Sequence, residues 1–77
     1  MAVVDLAHMG TGHHGKVVEV HGGNRMRARL EAMGIRPGVE ITKISSQIMH
    51  GPVLVKVGNA QVAIGHGMAR RVFVDTT

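Results

Sequence analysis

The sequence predicts a mainly β fold: a small, closed or nearly closed barrel of about five short antiparallel strands with one inserted helix. Three observations predict it. The chain has 77 residues, which is room for one small domain over residues 1–77. Its apolar segments are short, β-branched and separated by glycine-containing turns, without an internal repeat. A single segment has helical spacing, and it follows the first clear strand.

The composition excludes several classes of protein. Hydrophobic residues make up 44% of the chain and charged residues 18%, so a packed core is expected. Cysteine is absent, which excludes a disulfide scaffold, a thiol nucleophile, an iron–sulfur cluster and a cysteine zinc site. Phe73 is the only aromatic residue, which argues against base stacking and against an aromatic groove for proline-rich peptides. The acids are spread singly and no serine–histidine–acid arrangement is predictable, so the sequence does not indicate an enzyme.

The charge balance is mildly basic. Nine Lys and Arg residues against five Asp and Glu residues give a formal net charge of +4. That charge permits nucleic acid, an anionic membrane surface or an acidic protein patch as a partner. The beginning of the chain lacks a signal-peptide pattern, and no apolar run approaches the ~20 residues of a membrane helix. We therefore expect a cytoplasmic protein that does not insert into the membrane.

The first part of the chain predicts one strand between two glycine-rich breaks. Residues 2–9 are apolar and fit a short strand or a single helical turn. Residues 10–15 (GTGHHG) fit a loop, and residues 16–20 (KVVEV) fit a strand that ends at Gly22-Gly23.

Residues 24–33 predict the helix. Asn24 is a suitable N-cap after two glycines. One apolar stripe at i, i+4 and i+7 is formed by Met26, Leu30 and Met33. Gly34 stands where a left-handed residue ends a helix, and Ile35 stands where the same cap places a hydrophobic contact back onto the last turn. Pro37 opposes continuation.

Beyond the helix the apolar period changes to two, which indicates strands. The predicted segments are a strand (39–44), a loop (45–52), a strand (53–57), a two-residue turn (Gly58-Asn59), a strand (60–64), a turn or short 3₁₀ piece (65–71) and a last strand (72–74).

Two motifs carry a resemblance to a known family. They are R-L-x-x-M-G-I-x-P-G at 29–38 and G-P-x-x-V-x-V-G at 51–58. Supporting stretches are Asp5-Leu6, 15–18, Gly22-Gly23, Ala63-Ile64 and 72–74. With these residues, from about Val4 to about Val74, the chain resembles the FeoA family, the small cytoplasmic partner of the bacterial ferrous-iron transporter FeoB.

The resemblance implies an SH3-like barrel with an inserted helix. It also implies a non-enzymatic adaptor, bacterial or archaeal, that docks on the cytoplasmic part of FeoB and supports iron(II) uptake. A related fold occurs as the C-terminal domain of metal-dependent repressors similar to the diphtheria toxin repressor. We expect the stand-alone form, because 77 residues leave no room for their helical domains.

The docking surface that we expect combines an apolar patch with a basic rim. The patch consists of Leu30, Met33, Ile35, Ile48 and Met49, and the rim consists of Arg25 and Arg29. Leu30, Met33 and Ile35 would border a cleft between helix and barrel, whereas Ile48 and Met49 lie in a polar loop. A plain core role for the helix stripe and a solvated face for the arginines stay open as alternatives.

Two other functions stay open. The chain has six histidines, and the adjacent His13 and His14 are candidate metal ligands for a sensor or carrier of iron or zinc. We expect no required cofactor. Weak binding of iron(II) or zinc and weak self-association stay open as alternatives. Residues 10–15 match G-x-G-x-x-G, but a strand pattern follows them instead of a helix, so a dinucleotide site is disfavoured. A small-barrel nucleic-acid module is the remaining alternative, although the modest charge does not favour it.

Overall fold

The fold is known from a computed structural model, which describes residues 2–46 and 50–77. Within these residues it has six strands and two short helices, so the predicted mainly β architecture is confirmed. In chain order the elements are β1 (Val3–Asp5), β2 (His14–Val20), α1 (Asn24–Ala32), β3 (Glu40–Ser46), β4 (Val53–Val57), β5 (Ala60–Ile64), α2 (His66–Ala69) and β6 (Val72–Asp75).

The strands form one antiparallel sheet in the order β1-β6-β2-β3-β4-β5. Strand β1 is additional to the five or so strands predicted. It lies in residues 2–9, which fit either a short strand or a helical turn, and it pairs with β6 before a turn follows. Leu6 beyond β1 and Ile64 at the end of β5 belong to one buried cluster, so the sheet curls around a common core. The described residues of β1 and β5 are not paired with each other, which makes this a nearly closed barrel.

Strand β2 changes partners along its length. Residues 14–16 pair with β3 and residues 16–20 pair with β6, with an irregularity in the β6 pairing between Val17 and Glu19. Gly15 lies at this transition, where an added Cβ would stand 2.8 Å from Val74 Cγ1 and 2.9 Å from the carbonyl carbon of Asp75. Glycine is therefore needed here because two backbones approach closely.

The second half of the chain follows its predicted period of two. Val53, Val55 and Val57 are buried, and Val57 pairs with Ala60 across the predicted two-residue turn, in which Gly58 has a positive φ of 59°. Strand β3 extends two residues beyond the predicted end, to Ser46. The segment predicted as a turn contains the short helix α2.

One lysine lies within the core. Lys43 is 2% exposed and its Nζ donates hydrogen bonds to the carbonyl oxygens of Ala7 (3.0 Å) and Met9 (2.7 Å). Burial lowers the pKa of Lys43, and the carboxylate of Asp5 partly opposes this. Lys43 thus fastens the segment after β1 to the face of β3.

Helix α1 ends as predicted but begins differently. The N–H of Ile35 donates to the carbonyl of Leu30 (2.9 Å) and that of Gly34 to the carbonyl of Glu31 (2.9 Å), with φ 87° at Gly34. This is the predicted Schellman cap. The prediction of Asn24 as N-cap is wrong: Gly23 is the cap, without a side-chain hydrogen bond, and Asn24 is already helical.

No helix within residues 2–46 and 50–77 has the length and apolar character needed to cross a bilayer.

Candidate functional site

Helix α1 lies on the barrel with most of its surface free. Leu30 is its only fully buried residue, and Met26 is half-buried, as is Met33 just after the helix. The exposed residues of the helix are Asn24, Arg25, Arg27, Ala28, Arg29, Glu31 and Ala32. A nine-residue helix that buries one side chain offers the rest of its surface for contacts with other molecules.

One face of α1 combines basic residues with small ones. At 3.6 residues per turn, Arg25, Ala28, Arg29 and Ala32 share one side of the helix, which we call the outer face. All four are exposed. Arg25 and Arg29 are one turn apart, and the first turn of the helix has no acidic residue. The outer face therefore presents positive charge around two small side chains.

The structure corrects part of the expected apolar patch. Leu30 is 0% exposed and Ile35 is 1% exposed, so neither side chain offers surface to a partner. The physical reason is the helix cap, which turns Ile35 back over Leu30 and places both in the core. Met33 remains half-buried, and the predicted positions Ile48 and Met49 lie outside the described residues.

A small cleft does separate α1 from the barrel, but on its other side. Its lining residues are Val20, Arg27, Glu31, Ile35, Arg36 and Pro37. Its volume is about 40 Å³, which is room for a few water molecules. Of the three residues expected to border such a cleft, Ile35 lines it with almost no exposed surface, and Leu30 and Met33 do not line it. The cleft is therefore not the expected apolar docking groove.

The segment that matches G-x-G-x-x-G is a turn packed against β3. Gly12 has a φ of 86° and its N–H donates to the carbonyl of Lys43 (2.7 Å). The segment leads into β2 and opens no helix, so its surroundings differ from those of a dinucleotide-binding loop.

The two candidate metal ligands of this segment are exposed neighbours. His13 and His14 both border one surface depression, together with Gly12 and Thr76. No group of three histidine or acidic side chains in residues 2–46 and 50–77 is arranged to hold a metal ion. Whether His13 and His14 bind a metal therefore stays a prediction.

A second pair of histidines, His50 and His66, is brought together by the fold and was not predicted from the sequence. His50 Nδ1 and His66 Nε2 are 3.0 Å apart, and the rings meet edge to face with centroids separated by 4.5 Å. Desolvation lowers the pKa of His66, and the neighbouring His50, Arg70 and His8 lower it further. The two histidines are 16 positions apart on different connections, so no local spacing could have indicated the pair.

Two other histidines contact carboxylates, and one of them, His21, also packs against the ring of Phe73 with centroids 4.5 Å apart. His8 Nδ1 lies 2.9 Å from Asp5 Oδ1, and His21 Nε2 contacts Glu19 Oε2. Both are local pairs with an exposed histidine, and such pairs contribute little to stability.

Comparison with known proteins identifies the family of this chain. The model of the FeoA domain matches residues 4–76. The chain belongs to the FeoA family. A comparison with curated proteins gives no match.

Solved structures agree with this assignment. A crystal structure of an iron uptake regulatory protein (FeoA) is 44% identical, with 95% of this chain and 96% of that chain covered and a TM-score of 0.89. The FeoA of Stenotrophomonas maltophilia, solved with zinc and described as a procaryotic SH3 domain protein, is 26% identical, with 94% and 89% covered and a TM-score of 0.78. The predicted SH3-like fold is therefore confirmed, and the family links the chain to ferrous iron transport.

A third comparison concerns the fold alone. A manganese-dependent transcriptional repressor has a TM-score of 0.90 at 18% identity, with 97% of this chain and 42% of the repressor covered. The expected relation to a domain of metal-dependent repressors is thus seen at the level of the fold.

Proposed function

We propose that this FeoA-family chain is a non-enzymatic accessory protein of ferrous-iron uptake, which acts in the cytoplasm by docking on the cytoplasmic part of FeoB. The observation that carries the proposal is the outer face of α1. It is exposed, basic and held on the barrel from beneath by Leu30.

The side chains of the outer face indicate the kind of partner surface that it would bind. Arg25 and Arg29 favour an acidic surface, and guanidinium groups can pair with carboxylates through two hydrogen bonds. Ala28 and Ala32 are small enough to let a partner helix or loop approach the backbone of α1. Met33 lies just past the end of this face and supplies an adaptable apolar contact.

The loop positions Ile48 and Met49 remain part of the proposed docking surface on the strength of the sequence. They are two adjacent apolar residues in an otherwise polar segment. Apolar residues commonly combine with charged ones at protein interfaces.

The proposed mechanism is a population shift. A docked protein that binds one conformation of the transporter more tightly than another favours that conformation by its difference in affinity, without chemistry. The barrel suits this role because the Schellman cap and the buried Leu30 hold α1 in a fixed position.

A titration of the purified FeoB cytoplasmic domain tests the proposal. The double variant Arg25→Glu/Arg29→Glu reverses the outer face. The matched control Lys56→Glu/Arg70→Glu makes the same change in net charge at exposed positions on β4 and after α2. The comparison separates a local contact from general electrostatic attraction.

We expect the outer-face variant to bind at least about tenfold more weakly at low salt and the control to bind within about twofold of wild type. Wild-type binding should also weaken as salt screens the exposed charges. Absence of wild-type binding, or equal losses in both variants, would contradict the proposal.

A further inference from the structure

We infer that His50 and His66 together form a binding site for a borderline divalent transition metal ion such as zinc or iron(II). The site is separate from the outer face of α1 and from the predicted ligands His13 and His14. It joins the connection between β3 and β4 to the start of α2.

The distance between the two imidazole nitrogens fits metal ligation. With metal–nitrogen bonds of about 2.0–2.1 Å, two ligating nitrogens are about 2.9 Å apart at a right angle and about 3.3 Å apart at the tetrahedral angle. His50 Nδ1 and His66 Nε2 are 3.0 Å apart, between these values. The separation of the two nitrogens therefore already suits one ion, and ligation requires the rings to tilt so that both lone pairs point to it.

The protonation of the pair also fits. Two imidazole nitrogens at this distance cannot both carry a proton on their facing sides, so one donates an N–H and the other accepts with its lone pair. The donating ring can instead carry its proton on its other nitrogen, so that both facing nitrogens offer lone pairs to one metal ion while both rings stay neutral. Neutral imidazole nitrogen is a preferred ligand of zinc, iron, nickel and copper ions.

The backbone conformation of His50 supports a functional role for the pair. Its φ is 63°, and it is the only non-glycine residue with a positive φ in the described residues. Such conformations are uncommon outside glycine, and they cluster at functional sites, where the surroundings hold them in place.

The charges around the pair are of both signs, so the imidazole ligands determine which metal ion binds. Asp5 supplies a nearby negative charge, which His8 partly satisfies, and Arg70 supplies a positive one. No third histidine or acidic side chain in residues 2–46 and 50–77 is placed to complete the site. Water would therefore fill the remaining positions, and hard cations that require carboxylate oxygens would be excluded.

Calorimetric titration with zinc, with anaerobic iron(II) and with magnesium tests the inference. His50→Asn removes one imidazole while keeping a residue that tolerates a positive φ, and His66→Gln removes the other. The matched control is His13→Gln/His14→Gln, which removes two exposed histidines at another place on the same chain.

We expect zinc and iron(II) binding to wild type and no magnesium binding. We further expect at least a tenfold loss of zinc affinity in each single variant and less than a twofold change in the control. The inference is overturned by a loss in the control that equals the loss in the single variants, or by single variants that bind zinc as wild type does.

Histidine-detected NMR of the unmodified chain is independent of how the variants fold. Added zinc should move the imidazole resonances of His50 and His66 before those of His13 and His14. The opposite order, or the absence of any change with millimolar zinc, would equally overturn the inference.

Discussion

Replacing Lys43 with methionine is expected to destabilise the barrel. Methionine matches much of the lysine stem but cannot donate to the carbonyl oxygens of Ala7 and Met9, which lie 3.0 and 2.7 Å from Nζ. The Ala7 bond is only partly buried, so its carbonyl can turn to water. The buried Met9 carbonyl would lose its partner, at a cost of about 1–3 kcal/mol. For a domain of this size each kcal/mol lowers Tm by about 4–8 °C.

The destabilisation should grow as the pH rises. Burial lowers the pKa of Lys43 below 10.5 in the folded protein, although Asp5 opposes this. Between the lowered pKa and 10.5 the unfolded chain binds more protons than the folded one, so wild-type stability increases with pH in that window. The neutral amine still donates both hydrogen bonds. The Lys43→Met variant lacks this gain, so its deficit relative to wild type widens toward pH 10.5.

Urea unfolding at pH 7 and pH 10, followed by circular dichroism because the chain has neither Trp nor Tyr, measures both effects. Lys56→Met, at an exposed position on β4, is the matched control and should stay within about 0.5 kcal/mol of wild type. A Lys43→Met variant as stable as wild type at both pH values would show that the two hydrogen bonds of Lys43 do not stabilise the barrel. A deficit that narrows at pH 10 would refute the assigned direction of the pKa shift.

Three further substitutions test the fold around the site. Gly15→Ala should cost about 1–3 kcal/mol in urea unfolding, because its Cβ would press on the backbone of β6. Leu30→Ala should cost about 2–5 kcal/mol, since it empties the only fully buried position of α1. Gly34→Ala should cost about 1 kcal/mol, because its φ of 87° disfavours a side chain.

Matched controls separate these effects from ordinary substitution. Gly65→Ala introduces the same methyl group where nothing lies within 4 Å and φ is −62°, so its stability should equal that of wild type. Ala28→Ser changes an exposed position of the same helix, on the side away from Leu30, and should cost well under 1 kcal/mol. Losses in the controls as large as those in the test variants would contradict the assigned contacts.

Local signals explain what the sequence predicts well. The end of α1 is encoded within a few residues, by Gly34 and Ile35, and the structure has the predicted cap. The turn at Gly58-Asn59 is similarly local, and the two predicted strands on either side of it pair with each other. The N-terminus of α1 was less predictable, because glycine and asparagine are both acceptable caps and only backbone geometry decides between them.

Features that the sequence does not predict depend on contacts between residues far apart in the chain. Strand β1 depends on pairing with β6 at the other end of the chain. The core position of Lys43 depends on two carbonyl oxygens more than 30 residues away. The burial of Leu30 and Ile35, which moves the proposed docking surface to the outer face of α1, likewise depends on packing against the barrel.

Chemical-shift mapping tests the proposed docking most directly. Unlabelled FeoB cytoplasmic domain would be added to the ¹⁵N-labelled chain at low salt, and its backbone amides followed. We expect saturable shifts concentrated at four residues of the outer face: Arg25, Ala28, Arg29 and Ala32. Shifts confined to the β4–β5 hairpin, or none at saturating partner concentrations, would contradict it.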